Sequence, residues 1–282
     1  MGKPDPNMVY WLKDPSRGPG LEASHLRQHP KMHWIKPALD AFYRQGLVTD
    51  ILEQVKSGKE ATVFRCRAHP SLGIDSLALK VYSISMFRRL RGDNIYRSAR
   101  RPTPPRRTDS RDRAALLAES KNVRGRNAQF AQWVEYEFAA HVESYRAGAR
   151  VPRPYGRQGN AILMEYLGDE DGVAPMLQSV DLPLPTAQAL FDRLVNDVRL
   201  CLTCHRIHGD LSPYNILYWR ERAWMIDFGR AVDARHGEPV FALLQRDIER
   251  ICAYFARFGV ASRPQRLAQS LWRRYLNNTL AD

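Results

Sequence analysis

The alternation of apolar and polar residues predicts that the first half of the chain is rich in β-strands. Runs with apolar residues at nearly every second position predict strands at Asp50–Val55, Ala61–Ala68 and Ser76–Tyr82. Turn-forming residues separate these runs, first at Ser57–Gly58 and then near Gly73. This part of the chain is therefore expected to be mainly strand.

Later segments change to the periodicity of helices. Asn127–Arg146 is predicted to be a helix, and Val151–Tyr155 and Ala161–Tyr166 are predicted to be strands. Another helix is expected to begin with Thr186 as its cap, and a last helix carries an apolar stripe near the end of the chain. The first of these helices has its apolar stripe at Leu190, Leu194, Val198 and Cys201, and the last has its stripe at Phe241, Leu244, Ile248, Ile251 and Phe255. Two short strands are predicted between them, at Ile216–Tyr218 and Trp224–Ile226. The order of elements indicates an α+β protein with two lobes.

The same pattern divides the chain into three parts. Residues 1–45 are rich in proline and are predicted to be a partly disordered extension, although residues 33–42 have the composition of a short helix. Residues 46–164 form the predicted N-terminal lobe, and residues 165–282 form the predicted C-terminal lobe. Residues 88–126 are an insert in the first lobe, because their prolines and glycines interrupt both helical and strand periodicity.

The composition is that of a folded protein, since 44% of the residues are apolar and 10% are aromatic. No run approaches the ~20 apolar residues that span a bilayer, and the N-terminus lacks the pattern of a secretion signal. Cys66, Cys201, Cys204 and Cys252 lie in apolar or helical contexts, which predicts reduced core residues and a cytoplasmic protein. Cys201 to His205 also have the spacing of a haem attachment site, but the helical stripe favours the core interpretation.

The formal net charge of +13 is unevenly placed along the chain. Residues 88–126 hold twelve arginines and one lysine against four acidic residues, a net charge of +9. Such a local basic excess favours an anionic partner, with RNA or a ribosomal particle as the candidate. The alternative is a solvated loop that is kept soluble by its like charges.

Two short motifs in the second half carry the candidate chemistry. The first, HGDLSPYN, begins at His208 and contains Asp210 and Asn215, and the second, MIDFG, contains Asp227. Phosphoryl transfer from ATP needs metal ions to neutralise the phosphates and a group that orients the attacking hydroxyl. Asp210 is predicted to accept the incoming proton, whereas Asn215 and Asp227 are predicted to hold Mg²⁺, with Mn²⁺ as a substitute. The order and spacing match the signature of protein kinases, so an ATP-dependent phosphotransferase is expected.

Two unrelated turns are the structural alternative for these motifs, because Asp and Asn are common in turns. Each motif is bounded by apolar, strand-like runs, and their joint occurrence at this spacing favours the catalytic interpretation.

The first half supplies the candidate ATP-binding residues. Lys80 ends an apolar run and is predicted to pair with the phosphates and with a glutamate on a helix. The predicted helix contains Glu135, Glu137 and Glu143, of which Glu137 is the preferred partner. A solvated lysine at a strand end is the alternative, so this prediction depends on the motifs of the second half.

Two further segments complete the predicted nucleotide site. A link between the lobes is expected to meet adenine through backbone amides and carbonyls, and a short loop with a single glycine is expected to cover the phosphates. The predicted adenine contacts are Met164, Glu165 and Leu167, and the predicted phosphate contacts are Ser57, Gly58 and Lys59.

The combined motifs resemble the RIO family of atypical serine/threonine protein kinases. The resemblance spans about residues 46–258, and the pairing of SGKEA with HGDLSPYN makes it specific, because this pairing is not general kinase sequence. The segments that carry it are SGKEATVF (57–64), LALKVY (77–82), WVEYEF (133–138), ILMEYLG (162–168), HGDLSPYNIL (208–217), MIDFGRAVD (225–233) and LLQRDIERICAYF (243–255).

The resemblance implies a bilobal protein-kinase-like fold with a strand-rich N-lobe, a helical C-lobe and no activation segment. It assigns roles in ATP and Mg²⁺ chemistry to Lys80, Glu137, Asp210, Asn215 and Asp227. It also implies phosphorylation of serine or threonine, or transfer to the metal-binding aspartate in a switch-like ATPase cycle. Members of the family act in maturation of the small ribosomal subunit, which makes a ribosomal particle an expected partner.

Two other functions stay open on the sequence alone. A small-molecule phosphotransferase of the aminoglycoside or choline kinase type also uses His-Gly-Asp, but the short basic region after Val232 disfavours a cationic substrate. An RNA-binding scaffold with a vestigial nucleotide site is the second alternative. The joint presence of Lys80, Asp210, Asn215 and Asp227 disfavours it.

Overall fold

The computed structural model of the protein describes residues 32–58, 61–83 and 123–280, which fall into two compact units. The described residues of the first unit are 32–58, 61–83, 123–135 and 155–166, and those of the second are 136–154 and 167–280. Within these described ranges no helix is long and apolar enough to cross a membrane.

The described elements are five helices and nine strands. The helices are α1 (Met32–Arg44), α2 (Val123–Arg146), α3 (Leu184–Thr203), α4 (Glu238–Ala256) and α5 (Pro264–Leu276). The strands are β1 (Val48–Ser57), β2 (Ala61–Ala68), β3 (Ser76–Tyr82), β4 (Pro154–Gln158), β5 (Ala161–Glu165), β6 (Arg206–Ile207), β7 (Ile216–Trp219), β8 (Arg222–Met225) and β9 (Val232–Asp233).

A five-stranded sheet forms the first unit, with the strand order β1-β2-β3-β5-β4. Strands β1, β2, β3 and β5 pair antiparallel with their neighbours. The predicted strands Ala61–Ala68 and Ser76–Tyr82 are confirmed with the same bounds. Sequential strands joined by short turns pair side by side, so strand β3 lies in the centre of the sheet.

Helix α1 packs on this sheet and belongs to the same core. Ile35, Leu39 and Phe42 recur at helical spacing and are fully buried, together with sheet residues such as Phe64 and Leu79. Each buried side chain of this size stabilises the unit by roughly 1.5–3 kcal/mol. Helix α1 is therefore part of the core of the first unit.

Helices α3, α4 and α5 enclose the core of the second unit, which also contains the antiparallel hairpin of β7 and β8. The predicted apolar stripe of α3 is buried along its whole length, as are Leu244, Ile248, Ile251 and Phe255 of α4. The stripe of α3 is therefore confirmed, and so is that of α4 except at Phe241, which is only partly buried.

Four details of the predicted elements are corrected. Helix α3 begins at Leu184, and its N-cap is Pro183 and not the predicted Thr186. The helix can begin this early because a proline, here Pro185, is compatible with the first turn of a helix. Strand β4 lies three residues later than the predicted Val151–Tyr155, since the carbonyl of Pro152 binds His141 instead of a strand. Helix α2 begins four residues before Asn127, and α5 follows the helix that was predicted to be the last.

The cysteines are free thiols, and Cys66, Cys201 and Cys252 are buried, which confirms their prediction as core residues. Burial raises the pKa of the Cys66 and Cys201 thiols well above the ordinary value, and it raises the pKa of Cys204 to about 11. These thiols are therefore protonated and chemically inert near neutral pH.

Candidate active site

Lys80 lies in the middle of the central strand β3, between Val63 of β2 and Ile162 of β5. Alternation along the strand places Lys80 on the face opposite to the buried core of α1. On this face Lys80 Nζ lies 4.9 Å from the centroid of the Tyr82 ring, and Trp133 of α2 packs edge-on against Tyr82 at 5.1 Å. The structure thus fixes Lys80 through the backbone ladder and positions its ammonium over an aromatic ring.

The described ends of the predicted phosphate loop are paired with each other, where β1 ends and β2 begins. The Gly58 N–H donates to the carbonyl of Ala61 at 2.9 Å, and Ser57 pairs with Thr62 at the end of the ladder. The Gly58 N–H is therefore committed to the backbone of β2. Lys59 lies outside the described residues.

The predicted adenine contacts lie at the end of β5 and directly after it. Glu165 pairs with Leu77, and Met164 pairs with Ala78; both side chains are half-buried. Leu167 belongs to the second unit, and its carbonyl accepts a hydrogen bond from the N–H of Ala174 at 2.9 Å.

The hairpin of β7 and β8 brings the two predicted metal ligands to one end. Ile216 pairs with Met225, and the next pair outward joins the Ile226 N–H to the Asn215 carbonyl at 3.0 Å. Asp227 is the following residue, so Asn215 and Asp227 lie at the same open end of the hairpin. The sequence folds this way because a short turn at the other end fixes the register of the strands.

Asp227 has a left-handed backbone, with φ of +69°. Its carboxylate accepts a hydrogen bond from the Gly229 N–H at 3.3 Å and so caps a short turn that begins at Phe228. A non-glycine residue in this conformation is uncommon and is concentrated at functional sites.

Residues 208–215, which carry Asp210 and Asn215, are called the candidate catalytic loop, and His208 connects this loop to the segment around Asp227. Its Nδ1 accepts from the Asp210 N–H at 3.4 Å, and its Nε2 donates to the Ile226 carbonyl at 3.0 Å. The imidazole also packs on the buried ring of Phe228, which stacks on His141 of α2. These contacts require a neutral imidazole with the proton on Nε2.

Asp247 of α4 binds the backbone of this loop on both sides of Asp210. It is buried, and its two carboxylate oxygens accept from the Gly209 N–H at 2.7 Å and the Leu211 N–H at 3.0 Å. Arg246 donates to the Gly209 carbonyl. Burial raises the pKa of Asp247 to about 7, although the bonds from both backbone amides and the charge of Arg246 act in the opposite direction.

Asp210 itself contacts two arginines. Arg250 of α4 donates from Nη1 to Oδ1 at 2.8 Å, and Arg230 Nε lies 3.7 Å from Oδ2. The Asn215 Nδ2 amide donates to the Asp210 carbonyl at 2.9 Å. The backbone and carboxylate of Asp210 are therefore held by three elements of the second unit.

The glutamates of α2 have different surroundings. Glu137 is buried, Glu135 forms an exposed ion pair with Arg157, and Glu143 accepts a hydrogen bond from the buried Arg206 at 2.5 Å. Burial on the helix is compatible with the preferred assignment of Glu137. It belongs to the second unit and Lys80 to the first, so their pairing stays a prediction.

The residues at the hairpin end fit a hard cation. The amide nitrogen of Asn215 is committed to the Asp210 carbonyl, which leaves its side-chain oxygen as the atom for a metal, and Asp227 adds a carboxylate. Mg²⁺ prefers one or two such oxygens together with substrate phosphates. The described residues contain no cluster of three or more His, Cys, Asp or Glu side chains for a metal. Phosphate oxygens of ATP and water would complete the coordination of Mg²⁺ at Asn215 and Asp227.

Sequence reasoning missed His208 as a brace, the supporting Asp247, and the arginines Arg206, Arg230 and Arg250. One signal was available for Asp247, because an acidic residue on the apolar stripe of a helix needs a hydrogen-bonding partner when buried. The arginines carried no comparable signal. The basic insert of residues 88–126 lies outside the described residues except for its last four, which begin α2.

Comparison with known proteins finds a matching domain family and several similar kinases. Residues 71–267 match the RIO domain family. The chain is 26% identical over 224 residues to the serine/threonine-protein kinase RIO1 of Caenorhabditis elegans, which covers 77% of this chain but only 39% of that protein. It is 30% identical over 138 residues to the RIO-type serine/threonine-protein kinase Rio1 of Thermoplasma acidophilum, covering 49% of this chain and 70% of that protein.

A crystal structure of the Rio2 kinase from Chaetomium thermophilum, in a complex with ADP, Mg²⁺ and phosphoaspartate, has a similar fold. The TM-score is 0.58 at 18% identity, and the match covers 87% of this chain and 70% of that one. This likeness confirms the α+β, protein-kinase-like fold. The match of the RIO domain model to residues 71–267, which are most of the chain, shows that the chain belongs to the RIO family.

Proposed function

We propose that the protein is an ATP- and Mg²⁺-dependent kinase of the RIO type, which transfers phosphate to protein serine or threonine hydroxyls or to its own Asp227. The observation that carries the proposal is the convergence of Asp210, Asn215 and Asp227 around one hairpin end. The named kinases to which the chain is similar support the same activity.

The proposed roles follow from the chemistry of each group. Asn215 and Asp227 hold Mg²⁺, which neutralises the phosphates of ATP, and Lys80 positions those phosphates. During transfer the acceptor oxygen bonds to the γ-phosphorus, the bond from that phosphorus to the β–γ bridging oxygen breaks, and ADP leaves. The hydroxyl proton passes to Asp210.

The remaining predicted residues bind the nucleotide in this proposal. Ser57, Gly58 and Lys59 cover the phosphates, and the backbone near Met164, Glu165 and Leu167 meets adenine. Glu137 orients Lys80.

The proposal includes transfer to Asp227 as a second route. The Chaetomium thermophilum structure contains a phosphoaspartate, which supports this possibility for the metal-binding aspartate. The carboxylate oxygen would attack the γ-phosphorus and give an acyl phosphate, a mixed anhydride that hydroxylamine cleaves. A phosphoserine or phosphothreonine would survive the same treatment.

Labelled ATP distinguishes these roles in the purified protein. We expect Asp227→Ala to abolish Mg²⁺-dependent ATP binding, because a metal ligand is lost, and Asp210→Ala to stop transfer to hydroxyls while ATP still binds. Asp192→Ala, an exposed carboxylate on α3, is the matched control and should behave as the parent. Parent-like binding of MgATP by Asp227→Ala would disprove the metal assignment.

Two predictions from the sequence accompany the proposed activity. An RNA or ribosomal partner is assigned to residues 88–126 from their charge. The cytoplasmic location also stays a prediction.

A further inference from the structure

The carboxylate of Asp210 shares its surroundings with two guanidinium groups. Arg250 donates to Oδ1 at 2.8 Å, whereas Arg230 lies 3.7 Å from Oδ2, beyond hydrogen-bonding distance. An acceptor hydroxyl that approaches Asp210 must therefore come close to at least one arginine. Neither arginine has a role in the proposed transfer of phosphate.

Both arginines are mounted on elements that also hold the catalytic loop. Arg250 lies one helical turn after Asp247, whose carboxylate binds the amides of Gly209 and Leu211. Arg230 lies on the short turn that Asp227 caps. Their positions relative to Asp210 are thus fixed by the same contacts that fix the loop.

This cluster of Asp210, Arg230 and Arg250 is open to solvent. The side chains are 36%, 38% and 39% exposed, respectively. A guanidinium has five N–H donors, and the hydrogen bond from Arg250 Nη1 to Asp210 uses one of them. Further donors of Arg250 can therefore bind a second anionic group while the hydrogen bond to Asp210 persists.

The two oxygens of the Asp210 carboxylate differ in their contacts with the arginines. Oδ1 accepts the charge-assisted hydrogen bond from Arg250. Oδ2 has no hydrogen bond from Arg230 at 3.7 Å, so this oxygen is the one placed to receive the proton of an acceptor.

We propose that Arg230 and Arg250 select the acceptor, favouring a protein serine or threonine hydroxyl that is flanked by acidic side chains. A flanking carboxylate would pair with the guanidinium groups while the hydroxyl reaches Oδ2, whereas a flanking lysine would meet two like charges. This inference rests on the proposed kinase activity and deepens it, because it names the class of substrate.

The test uses three peptides with a single serine, which differ only in whether aspartate, alanine or lysine flanks it on both sides. The parent should give the highest kcat/KM with the aspartate peptide and the lowest with the lysine peptide. Loss of one exposed charged contact should reduce the ratio of kcat/KM for aspartate over alanine by roughly two- to fivefold in Arg230→Gln and in Arg250→Gln. Arg230→Glu should increase the relative use of the lysine peptide.

Two further variants separate selection from a merely structural role. Arg250→Lys keeps the charge and should retain most of the preference, whereas a role limited to fixing Asp210 would lower kcat for all three peptides equally. Arg266→Gln, an exposed arginine on α5, is the matched control and should keep the ratios of the parent. Equal use of the three peptides by the parent, or unchanged ratios in both glutamine variants, would overturn the inference.

Labelling of the protein itself by ATP, without peptide, separates acceptor selection from the proposed function. If the parent labels Asp227 but phosphorylates no peptide, acceptor selection is wrong and the proposed function stands. If it neither binds MgATP nor transfers phosphate, both are wrong.

Discussion

The two units hold their candidate catalytic residues in different ways. Lys80, in the first unit, lies in a central strand, and backbone hydrogen bonds to both neighbouring strands fix its position. Asp210 and Asp227, in the second unit, lie on loops that are held by side chains, above all Asp247 and His208. A backbone ladder forms with almost any side chain, whereas a side-chain brace depends on the identity of one residue.

We therefore expect that replacing Lys80 in the first unit changes activity without changing stability, whereas replacing a brace in the second unit changes both. Replacing Lys80 leaves the hydrogen bonds of the sheet in place, so the loss should be confined to chemistry. Replacing a buried brace of the second unit leaves polar partners without hydrogen bonds and also moves the loop. The following predictions test this contrast, from the largest expected effect to the smallest.

Lys80→Met should reduce phosphoryl transfer by roughly a hundredfold or more, because the phosphates are no longer positioned. The free energy of unfolding should change by less than about 1 kcal/mol, since the strand and its burial remain. Initial rates with labelled ATP and guanidinium unfolding measure the two effects. Arg67→Met, an exposed basic residue on the neighbouring strand, is the matched control and should retain the activity of the parent. A fully active, folded Lys80→Met protein would refute the assignment of Lys80.

Glu143→Ala should destabilise the protein by about 1–3 kcal/mol, because the buried Arg206 loses its carboxylate partner and keeps the hydrogen bond to the Tyr136 hydroxyl. The side chain of Arg206 is 10% exposed and that of Glu143 is 40% exposed, so Arg206→Met should cost less, as water can solvate the remaining glutamate. Guanidinium unfolding of both variants measures the difference.

The matched control for this ion pair is Glu135→Ala in the first unit. Glu135 is 65% exposed and pairs with Arg157 at 2.9 Å. Loss of such a surface pair should cost about 0–1 kcal/mol. Equal effects of Glu135→Ala and Glu143→Ala would contradict the contrast between the units.

Asp247→Asn should change how stability depends on pH. The pKa of Asp247 is raised to about 7 in the folded protein, above the value of about 3.9 in an unfolded chain. Between these values the folded state binds more protons, so the contribution of Asp247 to stability is full below about pH 4 and is lost as the pH rises to about 7. The parent should therefore lose stability relative to Asp247→Asn over this range, by up to about 1.4 kcal/mol per pH unit.

Guanidinium unfolding of the parent and of Asp247→Asn at about pH 5 and about pH 8 measures this change. Groups that both proteins share cancel in the difference between them. A difference that stays constant with pH, or that moves in favour of the parent at higher pH, would show that Asp247 is ionised throughout.

Local patterns predicted the elements with the clearest periodicity. Strands β2 and β3 have the predicted bounds, and the apolar stripes of α3 and α4 are buried, because alternation and helical spacing report which side of an element meets the core. The start of α3 and the position of β4 were wrong, since prolines and local hydrogen bonds decided them rather than periodicity.

The sequence by itself determined the family and the candidate chemical groups, because Lys80, Asp210, Asn215 and Asp227 lie in short motifs whose spacing is local. Only the tertiary structure decided what surrounds Asp210. Arg250 lies 40 positions away in the chain, and no local pattern predicts that a helix brings it to the catalytic carboxylate. Contacts of this kind depend on how separate elements pack, and packing is a property of the whole unit rather than of any one segment.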